Sequence, residues 1–154
     1  MIKLRITLES KQDVIREIEI NSDLNLEQFH AEIINCFGLD KFEMASFYMT
    51  DSNLDLGQEI PLFDTSEKGN TVVIMNEMAI SSVLHSEDST LIYVQDFLKM
   101  WRFHIQYVQE LKNCKNTETI CTKSVGEMPK DAPNLKFETM DKKEFNPYGD
   151  AFED

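Results

Sequence analysis

The chain has 154 residues and a formal net charge of −13, with 28 acidic side chains against 15 Lys and Arg. That length is typical of one domain with a sizeable core, and the acidity disfavours direct binding of DNA or RNA, since a phosphate-binding surface is basic. No apolar run approaches the ~20 residues that span a bilayer, and the N-terminus reads as a strand instead of a signal peptide. We therefore expect a cytoplasmic protein without a membrane segment.

Two strands and a helix are predicted in the N-terminal third. Residues 2–8 alternate strictly between apolar and polar side chains, which is the pattern of a half-buried strand, and residues 14–20 repeat it after a hairpin connection. Asn25 is a suitable helix N-cap with Gln28 as its capping-box partner. Apolar residues then recur at helical spacing until Gly38, which supplies the stop.

Shorter elements are predicted in the middle of the chain. Residues 45–50 read as a strand, whereas residues 51–70 are polar, rich in turn formers and irregular. Residues 71–75 are typical of a short strand, and residues 78–88 fit a short helix that ends in a loop.

The pattern after the short helix predicts three more strands. Residues 90–97 and 101–111 are joined by a tight turn at 98–100, and a last strand lies near 118–125. The fold class that follows is α+β. It is a mostly antiparallel sheet with one main helix after an N-terminal hairpin, a second short helix and a flexible C-terminal tail.

The C-terminal residues form a predicted tail. Hydrophobic periodicity ends after the single globular domain predicted at 1–126, and residues 127–154 are acidic, contain Pro and are predicted to be largely disordered. Phe145, Tyr148 and Phe152 interleave with acidic residues there, so they are a candidate motif for the basic groove of a protein partner. The alternative is a solvated tail with incidental aromatic residues.

The most conspicuous stretch is YVQDFLKMWRFH at residues 93–104, called the corner below. In one interpretation its polar side chains form a rim around the indole ring of a small-molecule or peptide pocket. In the other, which the strand period favours, Asp96 accepts backbone N–H bonds at a hairpin turn and Trp101 packs in the core. Arg102 and His104 then lie opposite the indole and are solvated. The candidate binding residues of the corner are Tyr93, Asp96, Lys99, Trp101, Arg102 and His104.

Metal sites and cofactors are not predicted. Residues 51–62 imitate a calcium loop, but Leu occupies its sixth and twelfth positions in place of Gly and Glu. The three histidines and three cysteines lack zinc-binding spacing. His30 lies beside the apolar stripe of the predicted helix, so we expect a hydrogen-bonded histidine at the edge of the core.

The cysteines are interpreted as reduced thiols. Cys36, Cys114 and Cys121 are an odd, scattered set, which is a poor disulfide framework. A nucleophilic arrangement of Cys121 with His104 and Asp96 stays open, because such triads assemble in space and not in sequence. No local signature supports it.

Motifs in both halves of the chain indicate a family. The N-terminal half resembles plasmid pRiA4b ORF-3-like proteins in the order of its motifs, which are Leu26 and Phe29–His30 on the helix, Phe37–Gly38 at its end and Phe47 on the next strand. The element GEMPKDAP at residues 126–133 also resembles that family, so the similarity covers about residues 1–133. These bacterial proteins are also labelled as passengers of mobile insertion elements.

The most specific motif of that family reads roughly Y-x-Y-D-F-G-D-x-W-x-H. The present chain keeps Tyr93, Asp96, Phe97 and Trp101, and differs at four motif positions, which hold Gln95, Leu98, Lys99 and Phe103. The resemblance implies the family's fold and brings no established activity. The loss of the second Asp and of the His implies that a site built on them is absent here.

Three functions are compatible with these observations. The leading hypothesis is a non-enzymatic protein-interaction module, since the chain is strongly acidic, lacks a catalytic signature and has an aromatic, acidic C-terminus. The alternative is a small-molecule binder or enzyme that uses the corner. A third hypothesis, an accessory protein of mobile-element DNA transactions, depends on the family label alone.

Overall fold

The computed structural model describes residues 1–50, 53, 55–65 and 72–130, and within them seven strands and two α-helices follow one another. In chain order the elements are β1 (Ile2–Leu8), β2 (Ile15–Ile20), α1 (Leu26–Phe37), β3 (Ala45–Thr50), β4 (Leu56–Pro61), a 3-10 helix (Met75–Glu77), α2 (Ile80–Val83), β5 (Thr90–Gln95), β6 (Trp101–Glu110) and β7 (Ile120–Val125). The strands form one antiparallel sheet in the order β4-β3-β5-β6-β1-β2-β7. The predicted α+β class is confirmed.

One face of the sheet carries the hydrophobic core. The alternate apolar residues of β1 are buried together with their cross-strand partners, and α1 packs above them. Phe29 of α1 stacks on Phe47 of β3 with ring centroids 5.5 Å apart, and Phe37 packs on Phe103 of β6 at 4.7 Å. Ile80 of α2 joins the same cluster. We call this the helix-covered face and the opposite one the second face.

Helix α1 begins and ends where its capping residues predict. The Asn25 side chain accepts a hydrogen bond from the Gln28 backbone N–H, and the Gln28 side chain accepts one from the Asn25 N–H, both at 2.9 Å. Gly38 takes the left-handed conformation with φ 68° and donates to Ile34 O. Both the capping box and the glycine stop are confirmed, because each depends on residues within one turn of the chain.

Two sequence predictions in the middle of the chain are wrong. Residues 56–61, predicted to be irregular, form the edge strand β4, which pairs with β3. Only Ile60 of that strand is buried, so the apolar alternation that identifies a strand is lacking. Residues 72–74 are not a strand, and Met75 begins the 3-10 helix, where the Ile74 N–H donates to the Glu77 carboxylate.

Candidate functional site

The structure distributes the six corner residues over three places. Tyr93 and Trp101 lie on the helix-covered face, where Tyr93 is opposite Phe103 and Trp101 is opposite Gln95. Tyr93 is fully buried, and Trp101 is only 6% exposed. The indole therefore packs in the core, and the polar side chains of the corner do not form a rim around it.

Asp96 and Lys99 belong to the turn between β5 and β6. Asp96 has a φ of 66°, a left-handed conformation that Asp tolerates better than most residues. Its carboxylate accepts the backbone N–H groups of Leu98 and Lys99 at 3.2 Å, and its own N–H donates to Met44 O at 2.8 Å. These bonds agree with the second interpretation of the corner, in which Asp96 shapes a hairpin turn.

Arg102 and His104 lie on the second face and share one carboxylate. The Glu9 backbone N–H donates to Arg102 O, which brings the Glu9 side chain beside both residues. His104 Nε2 donates to Glu9 Oε2 at 3.2 Å, and Arg102 Nε is 3.6 Å from Glu9 Oε1. The bond from His104, helped by the charge of Arg102, lowers the pKa of Glu9 despite its partial burial. Both basic residues are thus paired and half-buried, which corrects the expectation that they are solvated.

The polar residues of the second face continue onto β3 and β4. Ser46 Oγ donates to Glu59 Oε2 at 2.6 Å. Burial and the nearby Glu59 carboxylate raise the pKa of Tyr48, while the charge of Arg102 opposes that rise. Arg102 is therefore close enough to both Glu9 and Tyr48 to influence the pKa of each. The arrangement can bind a polar group.

Two loops at one end of the sheet form an exposed apolar protrusion, which we call the tip (residues 40–44 and 96–100). Gln95 Nε2 donates to Asp40 O at 2.6 Å, and the Asp96 N–H bond to Met44 O joins the same two loops. The tip exposes Leu98 by 94%, Phe42 by 84% and Phe97 by 42%. Sequence reasoning missed this group. The only local signal was Phe42, an aromatic residue between the charged residues Lys41 and Glu43.

His30 is a buried contact between helix and sheet. Its Nδ1 atom lies 2.6 Å from the hydroxyl of Tyr93, and burial lowers the pKa of His30. The prediction of a hydrogen-bonded histidine at the core is confirmed. Both side chains are buried, so this contact is part of the packing between α1 and the sheet.

The other sites considered from the sequence are not assembled in the part of the chain that the structure describes. His104 lies on β6 and Cys121 on β7, with β1 and β2 between them, so the triad with Asp96 does not assemble. No group of three or more His, Cys, Asp or Glu suited to a metal ion occurs in the part of the chain that the structure describes. Within the same part, no helix is both long and apolar enough to cross a membrane. The tail motif of Phe145, Tyr148 and Phe152 lies outside the described residues.

Comparison with known proteins identifies a family and a solved structure with the same fold. The family model described as plasmid pRiA4b ORF-3-like protein matches residues 1–133. A crystal structure of MM3350, a protein of unknown function from Methanosarcina mazei Go1, covers 97% of this chain and 84% of its own chain, with 17% identity and a TM-score of 0.67. At that identity the likeness shows the fold alone. No curated protein matches the chain.

Proposed function

The chain belongs to the plasmid pRiA4b ORF-3-like family, and we propose that it works as a non-enzymatic protein-interaction module that docks through the tip. The observation that carries the proposal is the exposure of Phe42, Phe97 and Leu98 on two adjacent loops. Large apolar side chains grouped at a surface are typical of interaction sites, whereas single scattered ones are not.

The tip is suited to insertion into a partner. The hydrogen bonds from Gln95 to Asp40 and from Asp96 to Met44 hold its two loops together. A pre-organised protrusion loses little conformational entropy on binding. Where the family motif has Gly, this chain presents Leu98, which adds an almost fully exposed apolar anchor to the turn.

The proposed occupant is a protein with an apolar pocket surrounded by Lys and Arg. At the tip the carboxylates of Asp40, Glu43 and Asp96 outnumber the ammonium groups of Lys41 and Lys99, and the whole chain carries −13. Opposite charge around an apolar centre accelerates encounter and excludes acidic partners. We propose that this interaction takes place in the cytoplasm.

The test compares the wild type with the double variant Phe42→Ser, Leu98→Ser. Proteins captured from a host lysate by immobilised wild type are identified, and each is then measured with purified components. We expect a basic partner whose Kd rises at least about thirtyfold with the double variant, since each of the two apolar anchors contributes at least about 1 kcal/mol, and whose affinity falls with salt. Ile120→Ser, an exposed apolar change on β7, is the matched control.

Three results would overturn the proposal. The first is a partner that binds the wild type and the double variant equally. The second is an acidic partner. The third is self-association that disappears in the double variant, which would make a second copy the occupant. Because the substituted side chains are exposed, the melting temperature of the double variant should match that of the wild type.

The tail is a separate part of the proposal. Its aromatic residues Phe145, Tyr148 and Phe152 are candidate anchors for the same kind of basic partner. Deleting residues 134–154 and repeating the capture tests them, and an unchanged set of partners would limit the docking surface to the tip.

A second candidate function is binding of a small polar ligand on the second face. The Nε atom of Arg102 is buried, and within the described residues it has no hydrogen-bond acceptor, its nearest carboxylate oxygen being 3.6 Å away on Glu9. A ligand oxygen would satisfy it. A metabolite that raises the melting temperature of the wild type, but not of Arg102→Gln, would support this function.

A further inference from the structure

Two of the three cysteines, far apart in sequence, lie on neighbouring elements at the edge of the sheet. Cys36 lies in the last turn of α1 and Cys121 on β7. We propose that Cys36 and Cys121 are a redox-responsive pair, which closes to a reversible disulfide that ties the edge strand β7 to α1. This inference is independent of docking through the tip.

The topology brings both side chains to the helix-covered face. Cys121 pairs across the strands with Ile18, whose side chain is in the core, and cross-strand partners share a face. Arg16 joins the two elements, because its Nε donates to Cys36 O at 3.1 Å and its Nη1 to Val125 O at 3.0 Å. The Cys121 thiol donates to Lys123 O at 3.3 Å, and it lies near enough to Cys36 to contribute to the raised pKa of that residue.

The two thiols differ in accessibility, which assigns their roles. Cys121 is exposed, whereas Cys36 is half-buried. Burial first, and then the neighbouring Cys121, raises the pKa of Cys36 to about 12. Since the thiolate is the nucleophile, Cys121 is the residue that attacks an external oxidant and Cys36 is the one that resolves the intermediate.

The proposed oxidant is a low-molecular-weight disulfide. The Cys121 thiolate attacks one of its sulfurs, forming a mixed disulfide and releasing the first thiolate. Cys36 then loses its proton to solvent and attacks the Cys121 sulfur, which breaks the mixed disulfide and releases the second thiolate. The released thiolates take up the two protons that the cysteines lost. The protein thiols are oxidised by two electrons, and the external disulfide is reduced to two thiols.

The consequence of such a disulfide concerns β7, which within the described residues pairs on one side only, with β2. Its residues are exposed except for the half-buried Val125, so little packing holds it in place. An edge strand with free backbone groups can pair with another chain. A covalent link to α1 would restrict its opening and so limit such pairing in the oxidised protein.

The experiment uses the full chain with Cys114→Ser, which leaves only the proposed pair. Reduced protein is incubated with oxidised glutathione, quenched with acid, and analysed by peptide mass mapping and thiol labelling. We expect loss of both thiols, a cross-linked peptide containing Cys36 and Cys121, a higher melting temperature and about tenfold slower amide exchange in β7. Dithiothreitol should reverse all four changes. The second step should be faster at higher pH.

Two matched variants separate the roles of the thiols. With Cys36→Ser the reaction should stop at a glutathione adduct on Cys121, and with Cys121→Ser the labelling of Cys36 should hardly change. Cys36→Ala repeats the first test in case Ser at this half-buried position impairs folding. Accumulation of stable adducts on Cys121 when Cys36 is present would overturn the proposal, and so would disulfides between molecules in place of the internal cross-link.

Discussion

The Nδ1 atom of His30 on α1 lies 2.6 Å from the hydroxyl oxygen of Tyr93 on β5, although 63 residues separate them along the chain. Both belong to the residues on which the family resemblance depends. The rings are tilted at 52° with centroids 5.8 Å apart, and Tyr93 also packs on Phe47 and Phe103. The family pattern thus identifies a buried polar contact that aligns the helix on the sheet.

Protonation of His30 is expected to destabilise the protein below neutral pH. Burial lowers the pKa of His30 in the folded state below its ordinary value of 6.5. As the pH falls through 6.5, the unfolded chain binds a proton that the folded chain does not, so stability is lost on the acid side. The free energy of unfolding should fall by at most about 1.4 kcal/mol per pH unit from this group. Urea unfolding at several pH values measures this slope for the wild type and for His30→Gln. The exposed His85→Gln is the control. An identical pH slope for His30→Gln would contradict the assignment.

The Asp96 carboxylate is expected to stabilise the turn at the tip. Asp96→Ala removes the acceptor for the Leu98 and Lys99 N–H groups and places Ala at a positive φ, which should lower the free energy of unfolding by about 1–3 kcal/mol. Asp96→Asn keeps an oxygen acceptor and tolerance of that φ, so its loss should be smaller. Chemical denaturation compares the two, and equal losses would show that the side-chain acceptor is unimportant.

The interaction of Glu9 with His104 is expected to be visible in the titration of Glu9. The bond from His104 is the main reason why the pKa of Glu9 lies below its ordinary 4.5. Its stabilising effect is present above that ordinary value and is lost as the pH falls through the lower folded-state pKa. His104→Ala should therefore raise the pKa of Glu9, as measured by carboxyl NMR. Lys3→Ala, which removes a charge on β1 that is paired with Glu19, should leave it unchanged.

Two glycines with positive φ should tolerate substitution differently. Gly38 has a φ of 68° and no heavy atom within 4 Å of the point where a Cβ would lie, so Gly38→Ala should cost only about 1 kcal/mol of backbone strain. Gly126 has a φ of 75°, and an added Cβ would overlap the carbonyl oxygen of Asp13. Gly126→Ala should cost more than about 3 kcal/mol, since backbone would have to move. Equal melting temperatures for the two variants would refute this.

Trp101 and Leu98, three residues apart, should respond differently to truncation. Trp101 is part of the core, so Trp101→Ala should lower the free energy of unfolding by about 3–5 kcal/mol. Leu98 is almost fully exposed, so Leu98→Ala should change the free energy of unfolding by no more than about 0.5 kcal/mol. Chemical denaturation of both variants measures the difference. A mild effect of Trp101→Ala would mean that the indole is not packed as described.

Prediction from sequence was accurate where apolar alternation or helix capping gave a strong local signal. The alternation in residues 101–111 placed Trp101 on the buried face, and the pair Asn25 and Gln28 marked the start of α1. Prediction was wrong for residues 56–61, because an edge strand with one buried side chain has no alternation to detect. For Arg102 and His104 the face was correct, but their partner Glu9 could not be identified from the sequence.

By itself, the sequence determined the apolar–polar alternation of the strands, the ends of the main helix, the net charge and the family to which the chain belongs. These depend on residues within a few positions of one another or on simple sums over the chain. Only the tertiary structure decided which distant side chains meet, such as Glu9 with His104, or His30 with Tyr93. The physical reason is that strand order and helix placement follow from the packing of the whole core. No local sequence pattern determines which strands pair with each other in the sheet.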